Sequence, residues 1–319
     1  MKYRKLGRSG VKVSEISLGS WLTYGEGGYV DKDKAFQIID RAYESGINFF
    51  DTANIYMRGE SEKAVGEALS KYPRHSYVLA TKVWGKMGDK PNESGLSRKH
   101  IMEQCDASLK RLNMDYIDLY YCHHFDPDTP IDETMRAMND LITQGKVLYI
   151  GVSNWTAAQI NEAVRVADRY LLNRIVASQP PYNMLRRQIE QEIMPVSAQH
   201  GIGQVVYSPL AQGVLTGKYT DLQNMPEGSR AQHAKGSVSS YLNETTLAQT
   251  AQLKEIANDL GCTLSQLALA WILRKEEVSS AIIGASRPEQ IDDNIKASAI
   301  TLTEDTLDAI ETILQPPTA

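Results

Sequence analysis

Short β-branched and aromatic runs alternate with longer amphipathic stretches along this chain, and that alternation is what most constrains its fold. Strand candidates fall at 15–18, 47–51, 77–82, 117–122, 147–152, 175–179, 203–207 and 280–283. Between and after them, apolar residues recur at helical spacing over roughly 31–45, 60–71, 97–112, 131–144, 156–170, 187–200, 265–275 and 287–297. Strand followed by helix, repeated eight times, predicts an α/β fold: parallel strands closed into a (β/α)8 TIM barrel. Ahead of the repeat, Arg4-Lys5-Leu6 and Val11-Lys12-Val13 flank Gly7-Arg8-Ser9-Gly10, the pattern of a β-hairpin. Residues 208–243 read as a long loop, and 244–260 and 303–314 as extra helices toward the C-terminus. Gly46, Gly145 and Gly201 follow predicted helix ends, as capping glycines do.

The chain of 319 residues suits one barrel of ~250 residues with added loops. Length alone also admits two domains, but no Pro/Gly/Ser-rich linker interrupts the alternation, so residues 1–319 are expected to form a single domain. A doubly wound open sheet is the alternative. It lacks its phosphate fingerprint here, because Gly25-Glu26-Gly27-Gly28 lies well past the first strand and Val30 stands in place of the third glycine. A formal net charge of −5 argues against nucleic acid as a partner. Cys105, Cys122 and Cys262 have no paired spacing, which suits a reducing cytoplasm. No apolar h-region opens the chain and no apolar run reaches the ~20 residues that span a bilayer, so neither secretion nor membrane insertion is expected.

Three consecutive predicted strands run into ionisable residues. Asp51 ends the second, with Tyr56 five residues on; Lys82 ends the third; His123 ends the fourth. The C-terminal mouth of such a barrel is where chemistry resides. Reduction of a carbonyl requires a proton donor, and a phenol serves if a cation stabilises the phenolate. Lys82 can lower the Tyr56 pKa, Asp51 can orient Lys82, and an imidazole N–H on His123 can polarise the carbonyl oxygen. Singly, each residue has a plainer reading: a turn cap, a solvated rim lysine, a histidine of an alternating strand with His124 facing the other way. Four together at one end of adjacent strands make the catalytic reading the stronger. His75, His100, His200 and His233 are scattered without ligand spacing, so no metal is expected.

At these residues the chain resembles the aldo-keto reductase superfamily. The segments are Asp51-x-Ala53-x-x-Tyr56, Thr81-Lys82-Val83 and Ile117-Asp118-Leu119-Tyr120-Tyr121-Cys122-His123, and the likeness runs from Leu6-Gly7-x-Ser9-Gly10 to the last barrel helix. Gly95-Leu96-Ser97-Arg98-Lys99-His100, Asp126-Pro127-Asp128-Thr129-Pro130, Ser208-Pro209-Leu210-Ala211 and Gly261-Cys262-Thr263-Leu264-x-Gln266-Leu267-Ala268 are similar to the branch that holds the β subunits of voltage-gated potassium channels. Those subunits carry Asn at the position of His123, Arg at that of Asn154 and Trp at that of Tyr207, where this chain follows the wider enzymatic family.

The resemblance implies an NADPH-dependent aldehyde or ketone reductase; its alternative is a slow, NADPH-binding, redox-sensing subunit of the channel-β kind. It implies that Ser153, Asn154 and Gln179 hold the nicotinamide carboxamide and Tyr207 stacks on the ring. Ser208, Pro209, Leu210, Ala211 and Gln212 would cover the pyrophosphate, with Lys218 and Arg230 reaching the phosphates. Gly284, Ser286, Arg287 and Gln290 would hold the adenosine ribose end, Asp293 and Asn294 the adenine, and Gly19 and Trp21 belong to the loop after the first strand. Ser286-Arg287 would open the last barrel helix and offer free N–H groups to an anion. Many members have Lys-Ser where this chain has Gly284-Ala285-Ser286, so Arg287 or Arg230 must serve a 2′-phosphate. Trp21, Tyr24, Trp84 and Phe125 would wall the pocket of a small carbonyl substrate, with Trp84 equally readable as loop core. Tetramers or octamers are implied by the branch.

Overall fold

The computed structural model describes residues 1–315 apart from Gly228 and Ala234. The hairpin is β1 (Tyr3–Lys5) and β2 (Lys12–Ser14). The barrel strands are β3 (Ile16–Gly19), β4 (Phe49–Asp51), β5 (Val78–Val83), β6 (Ile117–Cys122), β7 (Val147–Ser153), β8 (Ala177–Gln179), β9 (Gly203–Val206) and β10 (Val278–Ile283). They pair in parallel in the order β10-β3-β4-β5-β6-β7-β8-β9 and close. The fold is the expected (β/α)8 barrel.

Helices α1 (Lys32–Glu44), α2 (Glu60–Leu69), α3 (Arg98–Leu112), α4 (Ile131–Thr143), α5 (Ala157–Tyr170) and α6 (Ile193–His200) follow β3 to β8 in turn. After β9 come two short helices, α7 (Arg230–His233) and α8 (Lys235–Val238), inside the stretch expected to be plain loop. Then come α9 (Glu244–Asp259) and α10 (Leu264–Leu273), and after β10, α11 (Glu289–Asn294) and α12 (Glu304–Leu314). Thr156 with Gln159 and Thr263 with Gln266 form reciprocal capping boxes at the starts of α5 and α10, so side chains replace missing helical partners for the first N–H groups. Every residue of α10 except Ser265 is buried, and its sequence LSQLALAWIL is accordingly apolar nearly all round. No single helix among the described residues is long and apolar enough to cross a membrane.

Strand alternation separates two packed regions. Phe49, Val78, Ala80, Leu119, Tyr121, Ala177, Val205 and Ile282 point into the barrel, with Leu6 and Val13 of the hairpin closing its lower end. Phe50, Leu79, Tyr120, Ile150 and Val206 point outward against the helices. Each Val, Leu, Ile or Phe among them, removed from water, contributes about 1.5–3 kcal/mol. Gly151 makes room for Tyr121: a Cβ there would lie 2.6 Å from the tyrosine ring and 2.9 Å from the Ala177 carbonyl. The hairpin is fastened by Arg4, which donates to Glu15 (2.7 Å) and to the carbonyls of Leu273 (2.7 Å), Lys275 and Val278 (2.9 Å each). The cation thereby satisfies the open carbonyls at the end of α10.

Candidate active site

Inward parity carries Phe49, Val78 and Ala80 into the apolar interior, and its continuation carries Asp51 and Lys82 inward at the C-terminal end of the same strands. Lys82 is fully buried. Its ammonium donates to the Asp51 carboxylate, to the Thr52 carbonyl at 2.8 Å and to the Tyr56 hydroxyl at 3.2 Å. The other Asp51 oxygen accepts from Gln179 Nε2 at 2.8 Å, so Asp51 is held from two sides of the barrel. Tyr56 sits on a tight turn after β4, and its ring meets His123 edge-on with centroids 5.6 Å apart. His123 is fixed through its backbone, its N–H donating to Val83 O at 2.8 Å and its carbonyl accepting from Asn154 Nδ2 at 3.2 Å.

Burial works against the Lys82 ammonium, but Asp51 and Tyr56 outweigh it and hold its pKa above the usual lysine value. Burial likewise raises the Asp51 carboxyl, opposed by Lys82 and Gln179. Tyr56 differs from expectation. Burial pushes its phenol above 10, and Lys82 offsets that only in part, so the tyrosine stays protonated through the physiological range. Burial and the Lys82 charge hold His123 well below the usual histidine value, leaving a neutral imidazole whose Nδ1 has no partner among the described residues.

These groups open onto a cavity of about 1410 Å³. Tyr56, Asp51 and His123 line it, while Lys82 lies behind them. Gly19, Trp21, Ser153, Asn154, Gln179, Tyr207, Ser208, Pro209, Leu210 and Gln212 also line it, as do Lys218, Arg230, Gly284, Ser286, Arg287, Gln290, Asp293 and Asn294. Ala211 does not; it is buried beneath the loop. Tyr207 donates to Asn154 Oδ1 at 2.8 Å, and Ser153 donates to the Gln179 carbonyl at 2.8 Å, which ties the ends of β7, β8 and β9 together.

Lys218, Arg230 and Arg287 enter from the β9 and β10 side. Desolvation, then the charges of Arg230 and Arg287, lower the Lys218 pKa, and desolvation lowers that of Arg230. Among the described residues, none of the three has a carboxylate partner; Arg230 instead donates to Gln212 and lies 5.6 Å from the Trp21 ring. Cations that repel one another with no carboxylate paired to them fit a polyanionic ligand such as a dinucleotide phosphate.

Four expectations are corrected. Tyr24 is fully buried and its hydroxyl donates to the Ala285 carbonyl (3.3 Å), so it is core beneath the mouth, not pocket wall. Trp84 packs on His124 (4.7 Å between centroids) and Phe125 edge-on to Trp155 (5.1 Å), and neither borders the cavity, which of the four aromatics only Trp21 does. His124 does not face away: β6 ends at Cys122, the pleat stops there, and the His124 ring stacks on His123 and lines the cavity. Ser286 does not open a helix. The helix begins at Glu289, and the Ser286 N–H is taken by Gln290 Oε1 at 2.8 Å. The Asp293 carboxylate, for its part, is held by Thr263 (3.1 Å) and Gln266 (2.7 Å).

Sequence reasoning missed Met57, Arg58, His124, Thr216 and Glu289 on the cavity wall. It also missed the strain. Leu22, Met57, Arg58, Trp84, Asn154, Ser208, Ala211 and Gln212 all have positive φ, and all sit on loops at this one mouth. Such conformations cost about 1–3 kcal/mol each and collect at functional sites. Asn154 apart, whose residue type tolerates this conformation, nothing in the sequence marks them.

The site is thus a closed parallel barrel with an Asp51–Lys82–Tyr56 cluster and a group of cations without carboxylate partners at one mouth. The sequence model of the Aldo/keto reductase family matches residues 15–315, and the chain belongs to that family. A protein of Arabidopsis thaliana called a probable voltage-gated potassium channel subunit beta is 45% identical over 323 residues, covering 99% of this chain and 97% of its own. A Schizosaccharomyces pombe protein called a putative voltage-gated potassium channel subunit beta is 46% identical over 322 residues, covering 98% and 93%. A third, from Oryza sativa subsp. japonica and named like the first, is 43% identical over 323 residues.

Proposed function

We propose that this protein reduces small aldehydes or ketones to alcohols with NADPH, and that Tyr56 delivers the proton. The observation that carries the reading is the Lys82 ammonium set between Asp51 and the Tyr56 hydroxyl, 3.2 Å from the latter. When bound, NADPH supplies the hydride, which no side chain can. Neutral His123 donates an N–H to the carbonyl oxygen as negative charge gathers there. The protonated Tyr56 then gives its proton to that oxygen, and Lys82 stabilises the phenolate left behind. Asp51, held by Gln179, keeps Lys82 charged and aimed.

Ser153, Asn154 and Gln179 would orient the carboxamide and Tyr207 would give the nicotinamide ring a flat wall. Ser208 to Gln212, Lys218 and Arg230 would take the pyrophosphate, Arg287 or Arg230 the 2′-phosphate. Gly284, Ser286 and Gln290 would border the ribose, and Asp293 and Asn294 the adenine. Gly19 and Trp21 would close the cavity from the β3 loop. Mixing the purified protein with NADPH and 4-nitrobenzaldehyde tests this: absorbance at the NADPH band should fall through many turnovers. NADPH binding with no oxidation would refute it.

The names of the relatives favour a second reading, a redox-sensing subunit that holds NADPH and turns over slowly. A single fast oxidation followed by very slow turnover would mark that case. The three cysteines form no disulfide, which fits the proposed reducing cytoplasm. Assembly into tetramers or octamers, carried over from the channel-β branch, is tested by light scattering.

A further inference from the structure

We infer that the preferred carbonyl substrate carries a negative charge, a carboxylate or phosphate a few bonds from the carbonyl, and that Arg58 binds it. This rests on the reductase reading and names its substrate class. Arg58 lies two residues beyond Tyr56 in the same turn and lines the same cavity. The backbone presenting it is held in the left-handed region at both Met57 (φ 46°) and Arg58 (φ 53°). Glycine or asparagine would make such a turn without that strain, so a long cation at this position calls for a reason.

The turn is also rigid. The Arg58 N–H donates to Ile55 O at 3.0 Å. The next residue, Gly59 (φ 94°), packs so tightly on Arg111 that a Cβ there would lie 2.5 Å from Arg111 Cδ. Arg111 in turn is locked to the fully buried Glu62 at 2.5 Å. Arg58 therefore stands on a fixed platform beside the proton donor.

Its guanidinium has no hydrogen-bond or ion-pair partner among the described residues. Arg41, Arg98, Arg165 and Arg174, also at the surface, each hold a carboxylate, while Arg8 and Arg186 hold none among the described residues but do not border this cavity. The acids that line the cavity are Asp51, Glu289 and Asp293. Asp51 is committed to Lys82, and the other two lie on α11, beside β10. With Lys218, Arg230 and Arg287 assigned to cofactor phosphates, Arg58 is the unassigned cation on the cavity wall, and it comes from the β4 side where the carbonyl would be reduced. A guanidinium so placed matches a carboxylate or phosphate group in two-pronged fashion.

The test compares kcat/KM with NADPH for aldehydes matched in size: 4-oxobutanoate against butanal, and glyceraldehyde 3-phosphate against glyceraldehyde. The charged member of at least one pair should be favoured about 10-fold or more, as expected for a charge-assisted hydrogen bond; which pair shows it tells carboxylate from phosphate. Arg58→Gln should abolish the preference mainly through KM, Arg58→Lys should keep part of it, and added salt should shrink it. Arg58→Gly should abolish it too while raising the melting temperature, because the turn's strain is relieved. Equal kcat/KM within both pairs for the wild type, or a preference that survives Arg58→Gln, overturns the inference. If NADPH binds but none of the four aldehydes oxidises it, the reductase reading falls and this inference falls with it.

Discussion

Lys82 Nζ, on a fully buried side chain, lies 3.2 Å from the Tyr56 hydroxyl oxygen and 4.8 Å from the centroid of the same ring. One cation thus touches the tyrosine at both its hydroxyl oxygen and its π face. Removing it should raise the Tyr56 pKa further, since Lys82 is what opposes burial there. Lys82→Met is therefore expected to slow aldehyde reduction by ~10²-fold or more and to move the alkaline limb of the pH–rate profile upward. It also strands the Asp51 carboxylate in the interior, which should cost about 3–5 kcal/mol of stability. The double change Asp51→Asn with Lys82→Met should recover much of that stability and none of the activity. A melting series with single-turnover rates checks both halves; an unmoved pH profile would make Lys82 merely structural.

Tyr56→Phe separates the proton from the wall. The ring and its edge-on contact with His123 remain, and only the hydroxyl is lost. Reduction should fall ~10²–10⁴-fold. NADPH affinity, followed by quenching of intrinsic fluorescence, should stay near wild type. A variant keeping more than half of the wild-type rate, with chemistry rate-limiting, would remove Tyr56 from its proposed role.

How far these residues were legible in the sequence follows from where strand periodicity applies. Asp51 and Lys82 end β4 and β5 in continuous alternation with Phe49, Val78 and Ala80, so their inward aim follows from the pleat. His124 lies beyond β6, where the pleat no longer sets direction, and the inference from parity failed there. Tyr24, Trp84 and Phe125 failed for another reason. An aromatic on a loop near a mouth serves equally well as ligand wall or as loop core, and only the packing of Ala285, His124 and Trp155 decides between them. Arg58 carried no signal at all, because charge is common on turns and its strained φ is a property of the folded backbone.

The stacked pair His123 and His124, with ring centroids 5.2 Å apart, makes a graded prediction. His123 is held neutral by burial and Lys82, so it should contribute no limb to the pH–rate profile between about pH 5 and 8. His123→Asn should lower single-turnover hydride transfer ~10²-fold, since an amide is a poorer donor to the developing oxyanion. His124→Asn cannot serve as a silent control, because that ring borders the cavity. It should change KM more than the transfer step. Equal effects of both variants on hydride transfer would assign the polarising role to the pair, not to His123.

Lys218, Arg230 and Arg287 allow cofactor choice to be read from stability as well as from kinetics. Arg230→Ala or Arg287→Ala should weaken NADPH more than NADH by about 1.5–3 kcal/mol, because only NADPH bears the extra phosphate. Equal losses for both cofactors at both positions would refute a 2′-phosphate contact. In the ligand-free protein the same three cations face one another with no carboxylate paired to them among the described residues. The Lys218 pKa is lowered by desolvation and by its two neighbours, so the unfolded chain binds its proton more tightly than the folded one. Stability should therefore rise with pH through the window from the depressed folded value to the ordinary lysine value near ~10.4. Lys218→Met should flatten that rise and leave the melting temperature of the ligand-free protein no lower at neutral pH. It should at the same time reduce the increase in melting temperature that saturating NADPH produces. Calorimetry with and without NADPH at pH 7 and 9 distinguishes the outcomes. If Lys218→Met lowers the melting temperature without ligand and leaves the NADPH-induced increase intact, the three cations are a structural feature of the loop and not an anion site.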